Sequence, residues 1–517
     1  MPITQRTYYQ VVFLLLILSK STILPANDKS KCKIARNQAE KNISELAYIK
    51  AIENYTKLVK WECANIADLR NLANAYFQLK DTQKSELYYR EIVESDEAIA
   101  EDYYYYAQSL KSNEKYAESE KWLKQYQEIS YANTKIISEQ SIVEEIKELN
   151  NKNTYTVTPL SINSKYSDFG AIPYNNGLLF ISARQDESLI QFESSLNDEP
   201  FLDIYLANFN GEETSVIPFS KDINSRFHDG PVCFNSDGSE IFVTRSRFNK
   251  KSKKNDFVLY HAYQKKDGWG NLEELPFNSR EYSCGHPCLT ADNKVLFFAS
   301  DVPGGYGGAD IYFTQKETNG WSMPTNLGPN INTEGEEMFP FISANSDLYF
   351  SSNGHPGLGG LDIYLAQTDM DGLYEAVNLG APLNSSSDDF SFYLDKNGTE
   401  GYFASNREGG MGSDDIYKFV LNKDKIYTLA ISTKNSSTGN NLPNVTIQLI
   451  NEEGKPVGQK TSNNSGKTDF EVELEKKYQI KALKDNYKKR TIDFQSEKDK
   501  MSQNTFYLTI FLTSTEP

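Results

Sequence analysis

The sequence predicts a multidomain chain: an α-helical repeat, then a five-bladed β-propeller, then a small β-sandwich. Three observations carry this. A strand ending in tyrosine recurs at Tyr205, Tyr260, Tyr312, Tyr364 and Tyr417, in steps of 55, 52, 52 and 53 residues, a period that belongs to propeller blades rather than to helical arrays. Residues 32–150 contain no proline or glycine and repeat an apolar pattern every 34 residues. After residue 421 the composition shifts to Lys, Asn and Thr, with short alternating strands between turn residues.

A chain of 517 residues exceeds what one core supports; about 150 residues per domain gives three or so domains. The net charge of −17 excludes the nucleic-acid binders, whose phosphate contacts need clustered Lys and Arg. At the start, VVFLLLIL (residues 11–18) follows Arg6 and precedes polar sequence, the layout of a secretory signal peptide, placed at residues 1–26. The run is too short to span a bilayer as a helix, so the expectation is export to the periplasm. Of the five cysteines, Cys32 and Cys63 are placed for a local disulfide. Cys32 is also a candidate lipid site, although it follows Lys31 where such sites carry a small residue. Cys284 and Cys288 have only His286 beside them, too few ligands for zinc.

The helical part is assigned to residues 32–150. Leu72-Ala73 recurs as Tyr106-Ala107, Tyr76 as Leu110, Ser85 as Ser119 and Tyr89 as Leu123, and one period before Ser85 and Tyr89 lie Ala51 and Tyr55. This resembles the tetratricopeptide repeat, in which large-small and small-aromatic pairs let two helices pack closely. About three repeats and a capping helix at residues 134–149 follow from the spacing. The resemblance implies a partner-binding groove, with Tyr103 to Tyr106 as aromatic anchors; the alternative is a helical spacer. A helix advances by about 100° per residue, so at least two of the four tyrosines belong to the core.

Residues 150–154 form a linker, and 155–421 the propeller. Strand 155–160 has no partner nearby in sequence. Residues 269–276, 321–327 and 373–379 each act as the fourth strand of a blade, and the last blade lacks one. Strand 155–160 is therefore expected to complete the blade begun near Phe390 and so close the ring, which protects open edges. The turn Ser236-Asp237-Gly238, the strand Leu348-Tyr349-Phe350-Ser351-Ser352, the loop Gly304-Gly305-Tyr306-Gly307-Gly308 and the repeated Asp-Ile-Tyr resemble the WD40-like repeat of the TolB type. Blades one and two depart from it, with residues 185–200 and the basic run 245–254 in place of the glycine loop; such insertions fall on loops.

Two binding candidates follow. The glycine loops, such as residues 409–415, offer carbonyls and a carboxylate that suit calcium, against a plain turn whose Asp bonds the backbone. A row of acids, Asp168, Asp229, Glu337 and Asp389, precedes the first strands, which line the channel of a propeller; these could gather at one mouth around a cation, or each could bond amides in its own loop. No resident cofactor is assigned. Hydrolase, metalloprotease and phosphate-loop motifs are absent from the sequence. Arg184 and Arg407 occupy similar blade positions and read as structural.

Residues 425–513 read as a small antiparallel sandwich. Thr438-Gly439, Leu442-Pro443-Asn444-Val445-Thr446-Ile447 and residues 461–470 resemble the carboxypeptidase regulatory-like domain, a packing module. The order of parts resembles PorE/OmpA-family envelope proteins, with the sequence ending before an OmpA-like domain. That resemblance implies a non-enzymatic scaffold at the periplasm or outer membrane, accessory to secretion or envelope assembly, whose partners are other envelope proteins and whose membrane association is indirect or through a lipid anchor. The alternative is an exported carbohydrate-binding or carbohydrate-cleaving propeller.

Overall fold

The computed structural model describes residues 26–130, 146, 149–150, 155–184, 199–210, 213–249, 254–318, 320–368, 374–422, 427–497, 500 and 505–515. Residues 1–25 of the expected signal peptide, and residues 134–145, 147 and 148 of the expected capping helix, lie outside them. The chain divides into two compact units, residues 1–153 with 157–420, and residues 154–156 with 421–517.

The first unit begins with six described helices: α1 (Ala26–Ser44), α2 (Tyr48–Lys60), α3 (Ile66–Gln78), α4 (Thr82–Val93), α5 (Ala100–Ser112) and α6 (Tyr116–Ser130). Side chains cap them where the sequence offers an acceptor: Asn65 accepts from the Asp68 amide and Asp81 from the Lys84 amide. The small-residue positions do what close packing requires. Ala51, Ala73, Ser85 and Ala107 are buried, and the Ser109 hydroxyl donates to that of Ser85 across the α4–α5 contact.

An ion pair repeats with the helices. Arg36 grips Asp68 and the Cys63 carbonyl; one period on, Arg70 grips Asp102 and the Glu97 carbonyl. Cys32 and Cys63 form a disulfide, which commits the Cys32 sulfur. Of the four tyrosines, Tyr106 is buried, with Tyr103 and Tyr105 packed against the same cluster.

The strands of the first unit are β1 (Tyr155–Pro159), β2 (Asp168–Tyr174), β3 (Gly177–Ser182), β4 (Asp203–Asn210), β5 (Glu213–Pro218), β6 (Asp229–Phe234), β7 (Glu240–Asn249), β8 (Lys254–Lys265), β9 (Gly268–Trp269), β10 (Glu273–Glu274), β11 (Cys284–Leu289), β12 (Val295–Ser300), β13 (Asp310–Glu317), β14 (Gly320–Trp321), β15 (Thr325–Asn326), β16 (Glu337–Ile342), β17 (Leu348–Ser352), β18 (Asp362–Thr368), β19 (Tyr374–Asn378), β20 (Asp389–Leu394), β21 (Glu400–Ser405) and β22 (Asp415–Leu421). They form five sheets: β2-β3-β4-β5; β6-β7-β8-β10 with β9 on β8; β11-β12-β13-β14 with β15 on β13; β16-β17-β18-β19; and β20-β21-β22-β1. Strand β1 thus pairs with the last strand of the last sheet, as the sequence leads one to expect. The inner strands β2, β6, β11, β16 and β20 adjoin in turn, and β20 meets β2.

A clamp repeats between sheets. The Asn224 side chain bonds both the amide and the carbonyl of Ile204 in the preceding sheet. Asn278 does this to Leu259, Asn332 to Ile311 and Asn384 to Ile363. Asn163 does it to Ile416, so first and last sheets are joined like any other neighbours. One correction concerns residues 245–254. They are expected as a loop, but β7 runs on to Asn249 and β8 starts at Lys254, because alternating side chains through Phe248 and Phe257 continue the ladder.

The second unit has β23 (Tyr427–Asn435), β24 (Thr446–Asn451), β25 (Pro456–Thr461), β26 (Lys467–Val472), β27 (Lys477–Leu483), β28 (Arg490–Gln495) and β29 (Thr505–Leu512). They make two sheets, β26-β23-β29 and β25-β24-β27-β28, that share a core including Leu429, Ile447, Phe470, Ile480 and Phe506. The expected all-antiparallel arrangement is corrected here: β23 and β29 run parallel, because the last strand returns beside the first in the same direction rather than by a hairpin.

Candidate functional site

Strands β2, β16 and β20 begin beside glycine loops, and every inner strand bends once. Register breaks lie between Phe169 and Ile172, Asp229 and Val232, Gly285 and Cys288, Met338 and Phe341, and Phe390 and Tyr393. At each break one residue has positive φ: Gly170, Gly230, His286, Phe339 and Ser391. A bulge in every inner strand re-aims the side chains that follow it into the channel.

The four acids singled out in the sequence are the first residues of β2, β6, β16 and β20, and all are 0% exposed. Each is engaged within its own sheet. Arg184 holds Asp168 at 2.6 Å and donates to the Ile162 carbonyl, and the Ser164 amide donates to the same carboxylate. Arg245 and Ser225 hold Asp229, while Arg407 and Ser385 hold Asp389. Glu337 has no arginine; Thr333 and Ser352 donate to it, and His355 takes the Ile331 carbonyl that an arginine would. The remaining sheet, the third, starts with Cys284, whose Sγ lies 3.5 Å from the Ser300 hydroxyl. Burial holds the Asp229, Glu337 and Asp389 carboxyls above the usual range even against these donors. Each of the four is bonded locally, and a buried carboxylate needs every donor it has.

The aspartates of the glycine loops are also engaged locally. Asp310 accepts from the Tyr306 and Gly307 amides, Asp362 from Leu358 and Gly359, and Asp415 from Met411 and Gly412. Among the described residues no group of three or more His, Cys, Asp and Glu side chains stands at metal-ligating spacing.

The acids that face the mouth lie one residue earlier. Asp388 is paired with Lys80 at 2.7 Å. Glu336 and Asp414 act on the same ammonium, and together these acids raise the Lys80 pKa although burial works against it. Lys80 sits between α3 and α4, held out by a left-handed backbone (φ 62). Lys111 of α5 faces Asp362 and Asp388 and is held below its usual range by burial. Around this core Tyr126 donates to Glu334 (3.4 Å), Ser386 to Glu114 (3.2 Å), and the Ala381 amide to the Leu149 carbonyl (2.8 Å). Leu358, at the tip of a glycine loop, is fully buried with Ile146, Leu149 and Tyr116. The helices therefore lie over the ring's glycine-loop end, with Lys80 and Lys111 set among its acids.

Asp203, the first residue of β4, has a buried Oδ1 without a partner. Burial, with the Asp229 charge behind it, pushes its carboxyl up to about 7 while Arg245 pulls the other way. The folded value lies above an unfolded one near 3.9, so this group's contribution to stability is fully present below about pH 4 and is lost as pH rises through about 7. Asp203→Asn is expected to raise the melting temperature by an amount that grows from pH 5 to pH 8 and vanishes near pH 4. Melting curves across that range check it, and a gain independent of pH would show that the proton plays no part.

No protein-family model matches the chain, and no curated protein matches it. Solved structures similar to parts of it are a putative TolB from Agrobacterium tumefaciens (13% identity, 60% of this chain and 99% of that chain, TM-score 0.28), a GH43_1 enzyme from Xanthomonas citri (10%, 58% and 96%, 0.32) and the Bombyx mori GH32 β-fructofuranosidase BmSUC1 (10%, 72% and 91%, 0.32). Both a TolB-type protein and glycoside hydrolases are thus among its structural neighbours. At these TM-scores the neighbours do not bear on what the site does.

Proposed function

We propose that this is a non-enzymatic scaffold of the bacterial envelope, built from tetratricopeptide-like helices, a five-bladed WD40-like propeller and a carboxypeptidase regulatory-like sandwich. The observation that carries the reading is the joint between helices and ring. Lys80 and Lys111 fill the acidic mouth where a substrate would enter, and the carboxylates beneath it are spent on arginines and backbone amides. Such a joint builds one rigid presenting surface out of two modules. In this reading the protein is exported, acts in the periplasm or at the outer membrane, and holds other envelope proteins, with secretion or envelope assembly as the process served.

A second reading keeps an exported carbohydrate-cleaving propeller. Asp203, whose carboxyl burial pushes up to about 7 with the Asp229 charge behind it, forms with Asp229 a pair that suits general acid chemistry. One experiment separates the two. Tagged full-length protein is passed over a detergent extract of the envelope and assayed in parallel on aryl glycosides and insoluble glycans. The scaffold reading expects specific enrichment of envelope proteins and no turnover. Turnover abolished by Asp203→Asn, with no protein enriched, overturns it.

A further inference from the structure

We propose that the channel holds a binding site for one neutral aromatic ring. A cavity of about 220 Å³ lies where the five inner strands run on past their bulges, and all five contribute to its wall. Pro231, Pro287 and Pro340 line it from three neighbouring strands, together with Phe341 and Phe392. No Asp, Glu, Lys or Arg lines it, so a charged ligand would lose its hydration without compensation.

The end nearer the helices is closed by aromatic rings. Phe339 lies 5.0 Å from Phe390 and 6.2 Å from Phe169, centroid to centroid. His286 stacks on Phe339 at 3.9 Å with the planes 9° apart. Both stacked residues have positive φ, 55° and 52°, a backbone that bulky residues rarely adopt and that persists where the surroundings impose it, as at ligand clamps. Burial drives His286 down to about 4, so the stack is uncharged at neutral pH and offers a flat apolar face.

Size narrows the occupant further. A dry apolar cavity of about 150 Å³ takes benzene, so the larger space here admits a fused bicyclic ring such as indole. The Cys233 thiol is the polar side chain on the wall besides His286, Ser391 and Tyr393, and burial keeps it protonated.

The same ring can come from a free small molecule or from a partner's tryptophan. The probes are indole and the tripeptide Gly-Trp-Gly, titrated into the full chain and followed by calorimetry and ligand-observed NMR. Saturable indole binding is expected, weakened at least about tenfold, or 1.4 kcal/mol, in Cys233→Phe, which fills the space. Should that variant not fold, as judged by its melting curve, Cys233→Met with its smaller filling is expected to weaken indole in the same direction. Tripeptide binding about tenfold tighter than indole assigns the ring to a partner's side chain; equal or weaker binding assigns it to a small molecule. No saturable binding of either probe, or binding unchanged in the folded filled variants, overturns the proposal.

Discussion

Replacing Arg407 by Met is expected to destabilise the ring by about 3–5 kcal/mol, because it leaves a buried carboxylate without its counter-charge. Asp389 is 0% exposed, and Arg407 supplies its ionic partner at 2.5 Å while also donating to the Pro382 and Leu383 carbonyls. Urea unfolding of the first unit measures the loss. Adding Asp389→Asn to Arg407→Met is expected to recover part of it, since the orphaned charge is then gone. The comparison is Lys294→Met, which breaks the exposed pair with Asp292 and is expected to cost about 1 kcal/mol or less. Equal losses in the two variants would show that buried charge is not what Arg407 compensates.

Cys63→Ser is expected to cost the helices about 3–4 kcal/mol, the chain-entropy figure for a loop of this length. The disulfide closes a sequence separation of 31 residues, and Cys32 packs in the cluster that contains Tyr55 and Leu58. Far-ultraviolet circular dichroism during urea unfolding reads the helices. Helical signal lost at lower urea in the variant, and in the wild type with reductant, is the expected result. Superimposable curves would mean that the cross-link adds nothing to α1–α3.

Much of the ring could be read from periodicity, because four sheets repeat Asp-Ile-Tyr in the third strand and the other keeps its tyrosine as Val258-Leu259-Tyr260. The asparagine clamp was also within reach. Asn163, Asn224, Asn332 and Asn384 each stand five residues before the acid that opens the next sheet, a regularity visible without coordinates. So was the second ion pair, since Arg70 and Asp102 repeat Arg36 and Asp68 at the helical period.

The candidate site was harder, for a geometric reason. Strand side chains alternate between faces, so a shift of one residue exchanges the inside for the mouth. Asp389 is consumed by Arg407 while its neighbour Asp388 meets Lys80, and neither charge nor spacing distinguishes the two in sequence. The bulges were hidden as well. Gly170 and Gly230 announce a left-handed position, but His286, Phe339 and Ser391 adopt it against their own preference, driven by the ring rather than by local sequence.

The lysine set between α3 and α4 carries a last consequence. Lys80 behaves as a ligand that the chain supplies to itself, tethered at a local concentration that short connections place in the millimolar range. Any outside protein offering a basic residue to Asp388 competes with that tether.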